Sequence, residues 1–478
     1  MAGWETVIGL ECHVELSTRT KMFCGCRNEF GAPPNTNVCP VCLGQPGSLP
    51  VPNEEAIRRI VRIGLALDSE IAPHSLFHRK NYFYPDMPKN YQISQYDLPI
   101  CVGGHLDVQL PSGEVKRVGI TRVHMEEDTG KTSHVSASGR IHEAEHALVD
   151  YNRAGVPLVE CVSEPDLRSP EEAAAYLREL RAILEALDVS DVRMEEGSLR
   201  CDANVSVRPA GSTELGTKVE IKNMNSIRSL ERALVFERDR QIVALEAGQP
   251  LVQETRHWDE DSGSTKSMRS KEEAFDYRYF PEPDIPPIEP ARAWVEELRA
   301  SLPELPRARR ERLGETLSAP ELELEPAVIA GLLSSDRAET FIDVQRRSPE
   351  VGSRLIASFV LNEPEAAELS DVIVEILGFV HGERLSASKG KEVLEEVKGS
   401  GRSPVEIIDE RDWWQVSDAD ALGAIADEVI AENPEVVEKF LAGKDAVIGF
   451  LVGQVVKKSG GSANPTLARQ LLQERLSR

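Results

Sequence analysis

The chain has 478 residues, 41% of them hydrophobic and 28% charged, which excludes a disordered or fibrous polypeptide and leaves room for two to four domains. A formal net charge of -25 excludes a protein that coats nucleic acid by bulk electrostatics, so a polyanionic partner has to meet local basic patches. No apolar run reaches the roughly 20 residues of a bilayer span and no basic, apolar leader opens the chain, so a cytoplasmic protein without membrane contact is expected.

The first predicted element is a strand over residues 7 to 16, Val-Ile-Gly-Leu-Glu-Cys-His-Val-Glu-Leu. Read with period two, it sets Glu11, His13 and Glu15 on one face and Leu10, Cys12, Val14 and Leu16 on the other. Two carboxylates around an imidazole point to a hard cation or a proton-transfer site. Next come Cys24-x-Cys26, twelve residues, and Cys39-x-x-Cys42. Two such pairs, with glycines and prolines permitting tight knuckles, match a closed four-cysteine zinc site, structural and not catalytic. Residues 79 to 95, Arg-Lys-Asn-Tyr-Phe-Tyr-Pro-Asp-Met-Pro-Lys-Asn-Tyr-Gln-Ile-Ser-Gln, suit contacts to phosphate, ribose and base, although an ordinary polar loop has the same composition.

Downstream strands repeat the alternation. His124, Glu126 and Asp128 oppose Val123, Met125 and Glu127, and Glu160 interrupts the apolar run Leu158 to Val162, where its charge is costly unless paired or ligated. Arg200, Asp202, Asn204 and Ser206 share one face of the next strand, and Lys218, Glu220 and Lys222 one face of another. Strands with one charged face describe a mostly antiparallel sheet curved around a ligand. Glu11, His13, Glu126 and Glu160 form the candidate magnesium or manganese site; spacing alone leaves unrelated surface carboxylates equally open. Gly130-Lys131-Thr132 is not a phosphate-binding P-loop, since Met125 stands where glycine is required, and His142-Glu-Ala-Glu-His146 reads as a solvated loop and not a zinc-protease helix.

Helices punctuate this sheet. Ser169-Pro170 with Glu172 is a complete start signal, and a second helix runs from about Ser226 to Gly248. The class is therefore α+β. Five prolines between Phe280 and Pro290 read as a stiff linker, after which helical patterns dominate, one capped by Ser417 and running to Glu432. Lys398 to Pro404 reads as a further break. The expected organisation is an α+β body over 1–290, a helical domain over 291–402 and a helical tail over 403–478, whose Lys457, Lys458 and Arg469 suit phosphate contacts, although plain helix capping explains Lys457 and Lys458 equally well.

The blocks Gly9-Leu-Glu-Cys-His-Val-Glu-Leu16, Arg79-Lys-Asn-Tyr-Phe-Tyr-Pro-Asp86, Tyr91-Gln-Ile-Ser-Gln95, His124-Met-Glu-Glu-Asp128, Ser163-Glu-Pro-Asp166, Met194-Glu-Glu-Gly-Ser-Leu-Arg-Cys-Asp-Ala-Asn204 and Gly449-Phe-Leu-Val-Gly-Gln454 resemble the B subunits of aspartyl/glutamyl-tRNA amidotransferases over nearly the whole chain. The resemblance implies a catalytic cradle, a helical domain and a tRNA-binding tail. It implies ATP-dependent phosphorylation of the side-chain carboxylate of glutamate on tRNA(Gln) or aspartate on tRNA(Asn), followed by amidation. By it, His13, Glu126 and Glu160, with Glu11 beside them, hold magnesium; on the polar loop and strand faces read above, Lys80, Tyr82, Lys89, Tyr91, Arg200, Asp202 and Asn204 are the expected ATP or substrate contacts, and Lys457, Lys458 and Arg469 the expected tRNA contacts. Ammonia then comes from an amidase A subunit, with a small C subunit completing the complex. The family's zinc cysteines occur in only some members, and residues 135–147 form a longer segment than is usual in it. The archaeal glutamyl-tRNA relative carries an insertion too large for this chain, and a non-catalytic zinc-knuckle RNA-binding protein does not require the carboxylate-histidine face.

Overall fold

The computed structural model describes residues 3–110, 112–135, 146–270, 277–415, 419–442, 444, 447–459 and 463–477. The expectations for Ser417, for residues 142–145 of the His-Glu-Ala-Glu-His segment and for the glycine turn at 460–461 fall outside these residues. Two compact units are present, Met1–Pro306 and Arg307–Arg478.

The first unit is the expected α+β body. Its strands are β1 (Trp4–Glu15), β2 (Glu70–Ile71), β3 (His78–Asn81), β4 (Tyr91–Ser94), β5 (Cys101–Val102), β6 (His105–Gln109), β7 (Val115–Glu127), β8 (Lys131–Val135), β9 (His146–Asp150), β10 (Pro157–Ser163), β11 (Leu199–Pro209), β12 (Val219–Lys222), β13 (Glu254–Asp259), β14 (Ser264–Ser270) and β15 (Phe280–Pro281). The main sheet runs β14-β13-β12-β11-β1-β10-β7-β4-β3-β15, antiparallel except for the β12–β13 pair, while β8 and β9 form a separate ribbon. Lys131 and Thr132, the end of the rejected P-loop pattern, lie on β8.

Helices α1 (Glu54–Ala66), α2 (Pro170–Ala186), α3 (Ile227–Glu246) and α4 (Arg292–Ala300) complete the unit. Ser169 caps α2 by accepting from the Glu172 amide at 3.2 Å, with Pro170 at the first turn, and Ser226 caps α3 by accepting from Ser229 at 3.0 Å. One face of the sheet is core: Leu10, Cys12 and Val14 of β1 and Val159 and Cys161 of β10 are essentially inaccessible and cluster with Ile60, Tyr176, Leu180 and Leu230 from the helices. The alternate residues Glu11, His13 and Glu15 are only partly covered, as period two requires.

The proline-rich stretch is not a free linker. Its Phe280 and Pro281 form the terminal strand of the sheet, a position where a missing N–H is tolerated, and Ser75 bridges to Ile288. Buried Glu282 accepts from Arg79 Nε at 2.6 Å and Nη2 at 2.8 Å. The unit continues past residue 290 because α4 buries Val295 and Leu298 in the same core.

The second unit is helical, with one apolar core from Leu313 to Ile408 and another from Leu422 to Leu476. The break at Lys398–Pro404 does not separate them. Ser403 caps the helix Pro404–Arg411 in a capping box, and its Ile407 and Ile408 belong to the first core. The helix over Ala419–Glu432 buries Leu422, Ala426 and Val429. Among the described residues no helix is long and apolar enough to cross a membrane.

At Gly64 α1 packs directly against β5, since a Cβ there would lie 2.4 Å from Cys101 Sγ and 3.0 Å from Cys101 Cβ. Gly64→Val is expected to destabilise the first unit by about 1–3 kcal/mol through overpacking, read as a lowered thermal midpoint; an unchanged midpoint overturns this packing.

Candidate active site

Register assembles the site. His13 of β1 lies opposite Glu160 of β10, which lies opposite His124 of β7, so three strands place one row of ligating side chains on the face away from the core. Glu126, two residues beyond His124, shares that face, and Ser94 of β4 lies opposite it. His13 Nε2 is 3.6 Å from Glu160 Oε2 and 3.8 Å from Glu126 Oε1. One ligating atom from each of the three lies within 4.8 Å of the others. Ser94 Oγ donates to Glu126 Oε2 at 3.4 Å.

His124, which the sequence placed on this face without a role, orients Glu160. Arg122 Nε donates to His124 Nδ1 at 3.2 Å, so Nε2 carries the proton toward Glu160 Oε2, 3.3 Å away. Burial alone raises the Glu160 carboxyl, but the neighbouring His124, His13 and Lys80 outweigh it and hold the group well below the usual carboxylate range. Burial likewise opposes the charge of Lys80, while Glu126, Tyr279 and Glu160 raise its pKa above the ordinary lysine value. Two anionic oxygens and an imidazole nitrogen at this spacing fit a hard divalent cation that keeps further positions open.

Asp128 and Arg200 flank the row. Arg200 stands opposite His13 across β11 and donates to Asp128 Oδ2 at 2.6 Å, and Arg153 Nε is 3.7 Å from the same oxygen. Burial and the facing Asp128 push the Glu15 carboxyl up to about 8. Tyr82 is raised by burial and then by Glu126 and Asp86.

Other expected residues sit elsewhere. Glu11 does not join His13: it accepts from Asn204 Nδ2 at 2.8 Å and faces Val162 and Asp202 across its neighbouring strands. Asp202 pairs with Lys222, which is also 3.0 Å from Glu220. Lys89 and Tyr91 belong to the opposite side of the sheet. Lys89 pairs with buried Glu127, whose carboxylate also accepts from the Ile93 amide at 2.9 Å, and Tyr91 lies under the Arg79 guanidinium at 4.3 Å. In the second unit Lys457 and Arg469 are exposed, whereas Lys458 is held by Glu428 and Glu432, both at 2.7 Å.

The four cysteines converge as their spacing predicts, with all four sulfurs within 4.8 Å of one another. The Cys39 amide donates to Cys42 Sγ at 3.1 Å. A bond to Cys24, that amide and the charge of Lys21 bring Cys42 down to about 5 against the effect of burial. Lys21 is wholly buried, donating to the Asn37 carbonyl at 2.8 Å and the Tyr151 carbonyl at 3.2 Å. Four sulfurs so disposed fit a tetrahedral thiolate site.

Residues 6–296 match the family described as the GatB/GatE catalytic domain, and residues 363–476 the one described as the GatB domain. The B subunit of the aspartyl/glutamyl-tRNA(Asn/Gln) amidotransferase of Moorella thermoacetica is 52% identical over 485 residues, covering 99% of this chain and 100% of its own. Its namesakes from Halorhodospira halophila and Thermobifida fusca are each 50% identical, over 489 and 497 residues, covering 99% and 100% of this chain and 99% and 95% of their own. The chain belongs to this family. Within the amidotransferase B-subunit framework, the His13 row and all four cysteines lie in the catalytic-domain match, while Lys457, Lys458 and Arg469 lie in the GatB-domain match.

Because the Lys89 and Glu127 side chains are both nearly covered, Lys89→Met is expected to leave an unpaired carboxylate and to cost about 3–5 kcal/mol of stability. Thermal unfolding measures this, and adding Glu127→Gln should recover most of the loss; a Lys89→Met protein as stable as the wild type would refute the pairing.

Proposed function

We propose that this chain supplies the carboxylate-activating and amide-forming site of a glutamine-dependent, tRNA-dependent amidotransferase. In this reading, ATP phosphorylates the side-chain carboxylate of glutamate esterified to tRNA(Gln), of aspartate on tRNA(Asn), or of both, and ammonia displaces the phosphate. The two steps answer one chemical problem, since a carboxylate is a poor acyl electrophile until a leaving group is installed. The observation that carries the reading is the convergence of His13, Glu126 and Glu160 on the open face of the sheet.

Magnesium held by His13, Glu126 and Glu160 would neutralise phosphate charge and align the reacting oxygens. The protein's own groups do the rest. His124 keeps Glu160 oriented and ionised, and Lys80, beside both carboxylates, supplies a cation for a bridging phosphate oxygen. Arg200, held by Asp128 opposite His13, fixes the carboxylate or phosphate of the aminoacyl end. Ammonia reaches this centre from an amidase A subunit, with a small C subunit in the same cytoplasmic complex. The exposed Lys457 and Arg469 of the helical unit contribute to tRNA contact. A role in RNA binding without catalysis leaves the His13 row unexplained.

In the reconstituted complex, Glu126→Gln is expected to reduce amide formation on misacylated tRNA on the order of 100-fold or more with an unchanged thermal midpoint, because one anionic ligand is lost. Amide formation at wild-type rate in that variant would remove the metal assignment.

The Cys24, Cys26, Cys39 and Cys42 site is proposed to hold one structural zinc ion. Metal analysis should find it in the wild type and not in Cys39→Ser, whose unfolding midpoint should fall; equal zinc in both proteins refutes the site.

A further inference from the structure

The active-site face continues past Lys80 into a group of tyrosines. Pro281 of β15 lies opposite His78 of β3, His78 opposite Ser94 of β4, and Ser94 opposite Glu126 of β7, a single row across four strands. Side chains two positions along each strand share that face, which places Lys80 and Tyr279 on the side of Glu126. The rings are organised. Tyr96 and Tyr279 stack with centroids 4.2 Å apart and planes 7° apart, and Tyr277 meets the edge of Tyr279 at 6.1 Å. The Lys80 ammonium lies 5.1 Å over the Tyr277 ring, and His78 braces Tyr96 edge-on at 6.3 Å. Even so stacked and braced, Tyr96 remains 55% exposed.

Three interstrand steps separate Glu126 from β15, about 14 Å at the usual strand spacing. Lys80 stands between the two ends. Carboxylates that suit a cation and terminal phosphate, an ammonium one strand in from the rim, and an aromatic stack that joins Tyr279 at the rim to Tyr96, two residues past Ser94 of β4, offer contacts for the phosphates and the base of one nucleotide. Aromatic faces take up bases through stacking, which requires no particular hydrogen-bond pattern.

We propose that the outer face of Tyr96, backed by Tyr279, is a stacking platform for an adenine ring. This rests on the phosphoryl-transfer reading above, and both of that reaction's large substrates offer the ring: ATP itself and the 3′-terminal adenosine of a charged tRNA. The Lys80 ammonium, 5.1 Å over the Tyr277 ring of the same aromatic group, favours ATP.

The test uses the whole complex carrying Tyr96→Ala or Tyr96→Trp, with KM measured separately for ATP and for misacylated tRNA. Tyr96→Ala should raise the KM for ATP about ten-fold, the loss lying in KM more than in kcat, and Tyr96→Trp should restore it. Inhibition by tripolyphosphate, which has no base, should be the same in both variants. A shift confined to the tRNA KM keeps the platform and reassigns it to the terminal adenosine. If neither KM moves by more than two-fold, or if tryptophan fails to restore the loss, the platform is refuted. Quenching of the Tyr96→Trp fluorescence by ATP reports stacking without turnover. Quenching in a complex that forms no amide would sink the functional reading and keep the platform, whereas amide formation with unchanged KM values would do the reverse.

Discussion

The antiparallel register of β1, β10 and β7 is the constraint on which the site depends. It is fixed from behind, where Leu10, Cys12, Val14, Val159, Cys161, Val123 and Met125 are buried against the helices. A slip of one residue would turn that row to solvent and drive His13, Glu160 and His124 into the core, so burial holds the polar row in place without touching it. The hydrophobic effect thereby positions groups that would otherwise repel one another. Glu126 and Glu160 stand close to the same imidazole, and like charges a few ångströms apart cost on the order of a few kcal/mol in a half-buried setting.

The carboxylates in and around this row divide by what neutralises them. Asp128 has Arg200 and Arg153, Glu127 has Lys89 and the Ile93 amide, and Asp202 has Lys222. Each is satisfied within the chain. Glu126 and Glu160 are left with two histidines, a serine hydroxyl at 3.4 Å and the more distant charge of Lys80. Buried anions with incomplete partners are costly, and the cost is justified where a cation completes them. This contrast, more than the number of acidic groups, distinguishes the candidate centre from the salt-bridged surface around it.

What could be read from the sequence follows from the same alternation. His13, Glu126 and Glu160 were legible because each interrupts a strand whose other face is apolar. Glu11 has the same period as His13, yet its partners across the sheet are Val162 and Asp202, and no one-dimensional pattern reveals which residue a neighbouring strand will present. Lys89 and Tyr91 were misplaced because the turn between β3 and β4, with Asn90 at φ 62°, resets the phase, so Lys80 and Tyr91 fall on opposite faces. The prolines after Phe280 announced a break in helical and central-strand structure but could not show that Pro281 would close the sheet edge on His78, about two hundred residues away in sequence. Tyr277 and Tyr279 escaped notice for the same reason. The α+β class needed none of these pairings, since it followed from the two periodicities alone.

The cysteine knuckle is separate from the chemistry yet packs into its support. Gly44, with φ +63°, lies so close to Lys89 that a Cβ there would be 2.4 Å from the lysine Cγ, and Lys89 in turn pairs with Glu127, the immediate neighbour of Glu126. From the other side, wholly buried Lys21 ties the Asn37 carbonyl of the knuckle loop to the Tyr151 carbonyl just after β9, while its charge favours the ionised form of Cys42. A buried ammonium with only carbonyls for company would be expensive; beside four sulfurs disposed to bind metal as thiolates it would be compensated, and it would offset part of their negative charge. The knuckle is therefore tied to the end of β7 through Lys89 and to the turn after β9 through Lys21. This accounts for a four-cysteine cluster near the candidate catalytic face, to which it contributes no side chain.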